Sequence, residues 1–391
     1  MIFLGCLFER ERENEYLKKS KCGISNAVNG YQWNLIDGLN ANLEKPVSII
    51  NVLPVGIWKK QYSDLVLEDR HWTYNGADCF EIGGVNLPLI KQHQRYRKTL
   101  RLLKQSQDKK ILIYSPYLPF LKAIRKLDKS YHVTLVVTDL PEFYDLGKVS
   151  PLRRFLRKIN NRSVYKCMER VNSFVLLTEQ MKEPLRVGDR PYTIVEGICN
   201  PHLFDSIEAP DTPAKEKIIL YTGTLHEKFG IGNLLNAFAG IDNPDYRLWI
   251  CGGGDMKEKI EQAAENDPRI RFFGYVPKNT ICEMQLQATV LVNPRPNNEA
   301  YTKYSFPSKT MEYMLSGKPV IMYKLDGIPD EYDDYLCYVP DDSVSSLRET
   351  IVSVCDLSEE KRNHIGENAR SFLIQKKNTR VQAKEILRML F

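Results

Sequence analysis

Short apolar runs suited to buried strands alternate with helical patterns along nearly the whole chain, and nothing else constrains the fold as much. In the first half the runs fall at residues 2–8, 47–52, 79–82, 110–114, 132–138, 173–177 and 192–195. Helical spacing fills most of the gaps between them, chiefly at 26–42, 87–104 and 151–168. Residues 58–76 read as a long irregular surface loop beside a functional mouth. The pattern restarts after a polar, proline-bearing stretch at 205–217, where Glu208-Ala209-Pro210-Asp211-Thr212-Pro213 reads as a linker. Runs at 218–222, 246–251, 270–273, 289–293 and 318–323 follow, and two last helical segments, 359–373 and 378–390, lead into no strand. Such alternation predicts an α/β protein whose parallel sheets carry helices on both faces.

A chain of 391 residues exceeds one ordinary core, so two domains are expected. No apolar run approaches the roughly 20 residues of a membrane span. The apolar start runs straight into Glu9-Arg10-Glu11-Arg12-Glu13, which reads as a first strand rather than a signal peptide. Nine cysteines without a C-x-x-C pair point to reduced thiols and a cytoplasmic protein. The net charge of +6 is unevenly placed: Arg95, Arg97, Lys98, Arg101 and Lys104 cluster, as do Arg153, Arg154, Arg157, Lys158, Arg162, Lys166 and Arg170. Leu152, Phe155, Leu156 and Ile159 recur at helical spacing inside the second cluster. That helix suits an anionic membrane surface, or packs its apolar side on a core. Nucleic acid is not an expected partner, because basic and aromatic residues do not interleave.

The segment Ser305-Phe306-Pro307-Ser308-Lys309-Thr310-Met311-Glu312-Tyr313-Met314 predicts a short helix with Pro307 at its first position. Helical spacing puts Met311, Met314 and Leu315 on one face and Lys309, Glu312 and Tyr313 on the other. A first-turn cation opposes the helix dipole unless an anion sits there. The segment is therefore a phosphate site, with Glu312 on a ribose diol, or an ordinary helix with a solvated charged face. Glycines end three strands of this half. Gly223 and Thr224 precede Lys228, Gly252-Gly253-Gly254 follows the next strand, and Gly274-Tyr275-Val276 ends the third. Ligands of open α/β sheets bind beyond such carboxyl ends.

Taken together, Tyr221-Thr222-Gly223-Thr224-Leu225, the glycine run, Phe272-Phe273-Gly274-Tyr275-Val276 and the segment from Ser305 to Ile321 resemble retaining glycosyltransferases of family 4, of the GT-B fold. The likeness is closest to bacterial enzymes that build capsular, exopolysaccharide or O-antigen chains. It implies two Rossmann-like domains facing across a cleft: an acceptor-side domain over 1–205, a nucleotide-sugar domain over 206–375, and a C-terminal helix, 376–391, crossing back to the first. It also implies transfer of a hexose, with retention, from a nucleotide diphosphate donor to a glycan hydroxyl, without a metal or other cofactor. By the same resemblance Gly223, Thr224, Lys228, Gly252, Gly253, Gly274, Tyr275, Val276, Tyr304, Ser305, Phe306, Pro307, Ser308, Lys309 and Glu312 line the donor site, and the leaving phosphate takes the acceptor proton. Two positions depart from the family. Tyr304 stands where its first glutamate is usual, and Thr224 where many members have arginine.

In the first half, Ser25, Asn26 and Asn29 lie on a loop that opens a helix and resembles the family's phosphate-capping loop; Ser25 or Asn26 serves equally as a helix cap. Asp139 falls where the family often has a histidine facing sugar and acceptor, and an aspartate before Leu140-Pro141 also suits a turn. With Asp139, Lys309 and Glu312 as the catalytic set, the implied acceptor is polyprenyl-diphosphate-linked, met at an anionic membrane surface. A nucleotide-sugar epimerase of the same fold and a non-catalytic nucleotide-sugar-binding subunit are the rival readings. The histidines show no ligand spacing, so no metal site is expected.

Overall fold

A computed structural model describes residues 1–143, 150–208 and 216–391. The centre of the proline-bearing linker, 209–215, lies outside the described residues, as do the side chains of Leu152 and Arg153. The chain divides into two units, Met1–Ile198 with Thr379–Phe391, and Cys199–Asn378.

The first unit is built on β1 (Ile2–Gly5), α1 (Glu13–Lys19), α2 (Asn26–Asn40), β2 (Ser48–Asn51), β3 (Val66–Leu67), β4 (Arg70–Tyr74), β5 (Ala77–Glu81), β6 (Gly84–Val85), α3 (Pro88–Gln105), β7 (Lys110–Tyr114), α4 (Leu118–Ile124), β8 (His132–Val137), α5 (Pro151–Met168), β9 (Ser173–Leu176) and β10 (Tyr192–Ile194). Among the described residues its main sheet has eight strands, in the order β10-β9-β8-β7-β1-β2-β5-β4. All neighbours are parallel except β4 against β5. Strand order reverses between β1 and β7, which opens a crevice at their carboxyl ends. Right-handed crossovers put α3, α4 and α5 in one layer, where α4 packs on both its neighbours.

The opposite layer is α2 with the last helix of the chain, which share a core through Trp33, Ile36, Leu39, Ala383 and Ile386. At Gly38 a Cβ would stand 2.1 Å from the Thr379 carbonyl oxygen, so only glycine admits this approach. Asn42 Nδ2 donates to the Arg380 carbonyl and Gln382 Nε2 to that of Gly197, at 2.9 and 3.0 Å.

The second unit runs β11 (Lys217–Thr222), α6 (Ile231–Ala239), β12 (Tyr246–Cys251), α7 (Lys257–Asn266), β13 (Ile270–Gly274), α8 (Lys278–Gln287), β14 (Val290–Asn293), α9 (Ser308–Leu315), β15 (Val320–Tyr323), β16 (Cys337–Val339), α10 (Val344–Cys355) and α11 (Glu359–Lys376). Helix α12 (Thr379–Arg388) then belongs to the first unit. The sheet order β13-β12-β11-β14-β15-β16 is parallel throughout. Helices α6, α7 and α10 cover one face and α8, α9 and α11 the other. Strand order reverses between β11 and β14.

Four expectations change. Residues 58–76 are not one irregular loop, because Arg70–Tyr74 pairs with Ala77–Glu81 across Asn75 and Gly76, both at positive φ. Asn-Gly is the sequence signature of such a two-residue turn. The first strand stops at Gly5 rather than continuing through residue 8. The backbone of Cys6, Leu7 and Phe8 bonds instead to the side chains of Gln32, Asn51, Asn29 and Trp33. Pro307 caps α9 from outside instead of occupying its first turn. Tyr313 does not share a solvated face with Lys309 and Glu312. It is fully buried, because α9 is wedged between the sheet and α11 and the phenol reaches the end of β11.

Candidate active site

The site of the second unit grows from the point where strand order reverses. β11 ends at Thr222, and Gly223 follows at φ +136°. Beyond the strand ends the backbone remains stitched, Gly223 N–H to the Cys251 carbonyl, Leu225 N–H to that of Gly253 and Gly252 N–H to that of Gly274. The glycines divide by what surrounds them. A Cβ at 252 or 254 would strike the Gly223 or Leu225 carbonyl at 1.7 or 2.3 Å, so these two serve close packing. Gly253 and Gly274 face open space.

On this edge Lys309 lies in the first turn of α9, with its ammonium directly over Gly223. A Cβ at residue 223 would be 1.3 Å from Nζ. The same Nζ is 5.3 Å from the centre of the Tyr221 ring. Burial pushes the Lys309 ammonium down to about 8, against the pull of Glu312 and with a smaller push from Lys278. Pro307, at the cap position, has no side-chain oxygen, so no cap from that residue satisfies the first amide groups of α9. A partly buried cation and a helix start whose cap residue offers no side-chain acceptor thus meet at one point, where an anion would relieve both.

Glu312, one turn on, is held by two groups: Gln285 Nε2 donates to its Oε1 at 2.7 Å, and the Lys278 ammonium pairs with Oε2. Gln285 is buried, whereas Lys278 is half-exposed. An incoming diol would therefore displace Lys278 and leave Gln285 in place. Below the helix, Tyr313 Oη accepts from the Thr222 N–H at 2.8 Å, locking α9 to the end of β11.

Lys228 lies in the turn after β11, with Nζ 5.7 and 5.8 Å from the ring centres of Phe229 and Tyr301. Those two rings also receive Arg295, at 5.4 and 4.5 Å, and Arg295 Nη2 donates to Ser305 Oγ at 3.2 Å. The sequence reading passed over Arg295. It sits between two prolines just past β14, without periodicity, and its one available signal was its place beyond a strand end at the reversal. Lys228, Arg295 and Lys309 thus ring the carboxyl ends of β11 and β14.

The remaining donor-side residues are placed as follows. Thr224 is exposed and its carbonyl accepts from Tyr221 Oη. Tyr275 is exposed after Gly274, while Val276 packs on the core under α8. Tyr304 lies under the Lys303 ammonium, 4.9 Å from its ring centre. Phe306 and Pro307 are buried, Phe306 against Tyr332, and Ser308 is exposed. Ser25, Asn26, Asn29 and Asp139 belong to the first unit. Ser25 and Asn26 are exposed, and Asn26 Nδ2 donates to Glu13. Asn29 is buried with its oxygen committed to the Phe8 N–H. Asp139 is exposed just past β8.

No curated protein matches the chain in sequence. Residues 205–372 match the family described as Glycosyl transferases group 1, which covers the whole site of the second unit. Among solved structures, sucrose-phosphate synthase from Thermosynechococcus elongatus superposes with a TM-score of 0.68 at 16% identity, over 100% of this chain and 98% of that one. Alr3699/HepE of Anabaena, in complex with UDP, gives 0.63 at 13% identity over 100% and 99%. WaaG, a glycosyltransferase involved in lipopolysaccharide biosynthesis, gives 0.64 at 13% over 100% and 99%. The chain has the GT-B fold. Within that GT-B chain, residues 205–372 carry the glycosyl transferases group 1 match, which supports a glycosyltransferase.

Proposed function

We propose that the protein is a retaining hexosyltransferase of the family 4 type, moving a sugar from a nucleotide diphosphate donor to a hydroxyl of a lipid-linked glycan in bacterial surface polysaccharide synthesis. The observation that carries the reading is the Lys309 ammonium, largely desolvated over Gly223 at the start of α9, where the cap residue Pro307 offers no side-chain acceptor. A structure of the same fold that holds UDP supports the donor class.

In this mechanism the bond from the sugar's anomeric carbon to the β-phosphate oxygen breaks, and one to the acceptor oxygen forms on the same face. The acceptor's proton passes to the departing phosphate. Charge accumulates on the diphosphate, and Lys309, the first amides of α9, Lys228 and Arg295 stabilise it from fixed positions, so no reorganisation is needed. Their combined charge does the work that a metal ion does elsewhere. Glu312 takes the ribose diol after Lys278 leaves, and the open backbone at Gly274 with Tyr275 receives the base. Asp139 orients the sugar or the acceptor hydroxyl.

Incubation with candidate nucleotide-sugars, with and without a polyprenyl-diphosphate-linked acceptor, tests the reading. Transfer should need both. Release of an altered sugar from donor alone would favour an epimerase, and binding without turnover would favour a non-catalytic subunit.

A further inference from the structure

Helix α8 brings two polar side chains to Glu312, and they stand in different surroundings. Lys278, the first residue of the helix, is half-exposed and meets water when it leaves the carboxylate. Gln285, two turns on, is 0% exposed. Its neighbours Cys282 and Met284 belong to the apolar cluster that α8, α9 and α11 form against the sheet. A leucine or methionine would suit such a position, whereas a buried amide there is tolerated only through its hydrogen bonds.

Gln285 Nε2 donates to Glu312 Oε1 at 2.7 Å, while Gln285 Oε1 meets no donor among the described residues. Turning the amide would not repair this, because an ionised carboxylate only accepts and two oxygens would then face each other. The chain thus keeps a stranded buried oxygen in order to place one N–H on Glu312, and that arrangement costs stability. Its use lies in what it does to Glu312. The glutamate side chain is 27% exposed, and untied it would turn about several bonds. With Oε1 held on the buried side, the carboxylate has one orientation and accepts two adjacent hydroxyls without first being ordered by them. Lys278 occupies Oε2 in the meantime, and its departure costs little because half-exposed ion pairs are weak.

We infer that Gln285 is a positioning residue, which fixes Glu312 for a vicinal diol and so restricts the donor to sugars carried on ribonucleoside rather than 2′-deoxyribonucleoside diphosphates. A deoxyribose brings one hydroxyl where the fixed acid accepts two, and one charge-assisted bond is missing from its complex. Lys278 does not discriminate, because either ligand displaces it. The inference rests on the proposed nucleotide donor and adds the pentose that the donor must carry.

The test is calorimetric titration of the full chain with UDP, GDP, ADP and their 2′-deoxy counterparts. For the base that binds, the ribonucleotide should bind about 10- to 100-fold more tightly than the deoxynucleotide, the worth of one hydrogen bond to a charged group. In Gln285→Met, which keeps the length and removes the stranded oxygen, that ratio should fall about two- to tenfold, because Glu312 must then be ordered on binding. The variant should melt at or above the wild-type temperature, so the lost ratio is not lost structure; Gln285→Leu gives the same comparison should the methionine not be accommodated. In Lys278→Ala both affinities should shift together and the ratio should stay. Equal binding of ribo- and deoxynucleotide by wild type overturns the inference and leaves the nucleotide donor standing. A lowered melting temperature with an unchanged ratio in the Gln285 variants overturns it too, by leaving that residue a structural role alone. So does a ratio that moves with Lys278 and not with Gln285. If wild type binds none of these ligands, the donor reading falls and this inference with it.

Discussion

The Lys309 ammonium fills the volume that any side chain on residue 223 would need, 1.3 Å from the position of its Cβ. A strand end and a helix start, distant in sequence, are thereby tied to one anion-ready point. Thr224 brings no charge there, and the lysine of α9 supplies it from across the site. The site's cations thus come from three elements: the turn after β11, the loop after β14 and the start of α9.

Lys309→Ala should lower the transfer rate by about 10²–10³-fold, the usual consequence of removing one preorganised charge from a developing anion, or about 3 kcal/mol. Because Lys309 is partly desolvated without a bound anion, the variant should melt at or above the wild-type temperature. Steady-state kinetics and calorimetry check the pair of outcomes. Near-wild-type turnover would remove Lys309 from the mechanism.

Gly223→Ala should destabilise the fold, by steric conflict with Lys309 and by strain at φ +136°. In Gly223→Ala/Lys309→Ala the conflict is relieved and the strain stays, so part of the melting temperature should return while activity does not. A double-mutant cycle on chemical denaturation reads the coupling directly. Strict additivity would mean that the two residues do not meet in solution.

The depressed Lys309 gives a pH signature. Its folded value of about 8 lies below the ordinary lysine value of 10.5, so the folded chain holds fewer protons than the unfolded one between them. This group's contribution to stability therefore rises with pH from about 8 to 10.5. A diphosphate restores the charge, so nucleotide binding near pH 8.5 should take up a proton. Calorimetry in buffers of differing ionisation enthalpy measures it. Lys278→Ala removes a neighbouring cation and exposes Lys309 to Glu312, which should move the onset of uptake to higher pH.

Tyr313→Phe should cost about 1–3 kcal/mol, since it strands the buried Thr222 N–H that the phenol oxygen accepts at 2.8 Å. It should also weaken nucleotide binding, because α9 loses its tie to β11. Urea denaturation and a nucleotide titration separate the two effects.

Gly38→Ala should destabilise the first unit by at least about 1–3 kcal/mol, because the added methyl meets the Thr379 backbone. Limited proteolysis should then release residues beyond 379 first.

Most parallel strands were legible because strands buried on both faces appear as unbroken apolar runs. The edge strand Arg70–Tyr74 was not, since its half-exposed polar residues hide any run, although Asn75-Gly76 announced the turn. Helical spacing distinguished the faces of α9 but could not show that the Tyr313 side is also covered. In the candidate site, residue types at the strand ends marked the edge of the second sheet around which Lys228, Arg295 and Lys309 gather. The meeting of Lys309 with Gly223, the clamp of Gln285 and Lys278 on Glu312, and the seat of Arg295 between Phe229 and Tyr301 were hidden, because each joins residues that no local pattern relates.

Helix α12 closes the core of the first unit, yet residues 379–391 leave the ribosome only after everything between 199 and 378. The second unit has its whole sequence available earlier and can complete its own core first. During synthesis, therefore, Trp33, Ile36 and Leu39 on α2 wait without their cover until the last helix emerges.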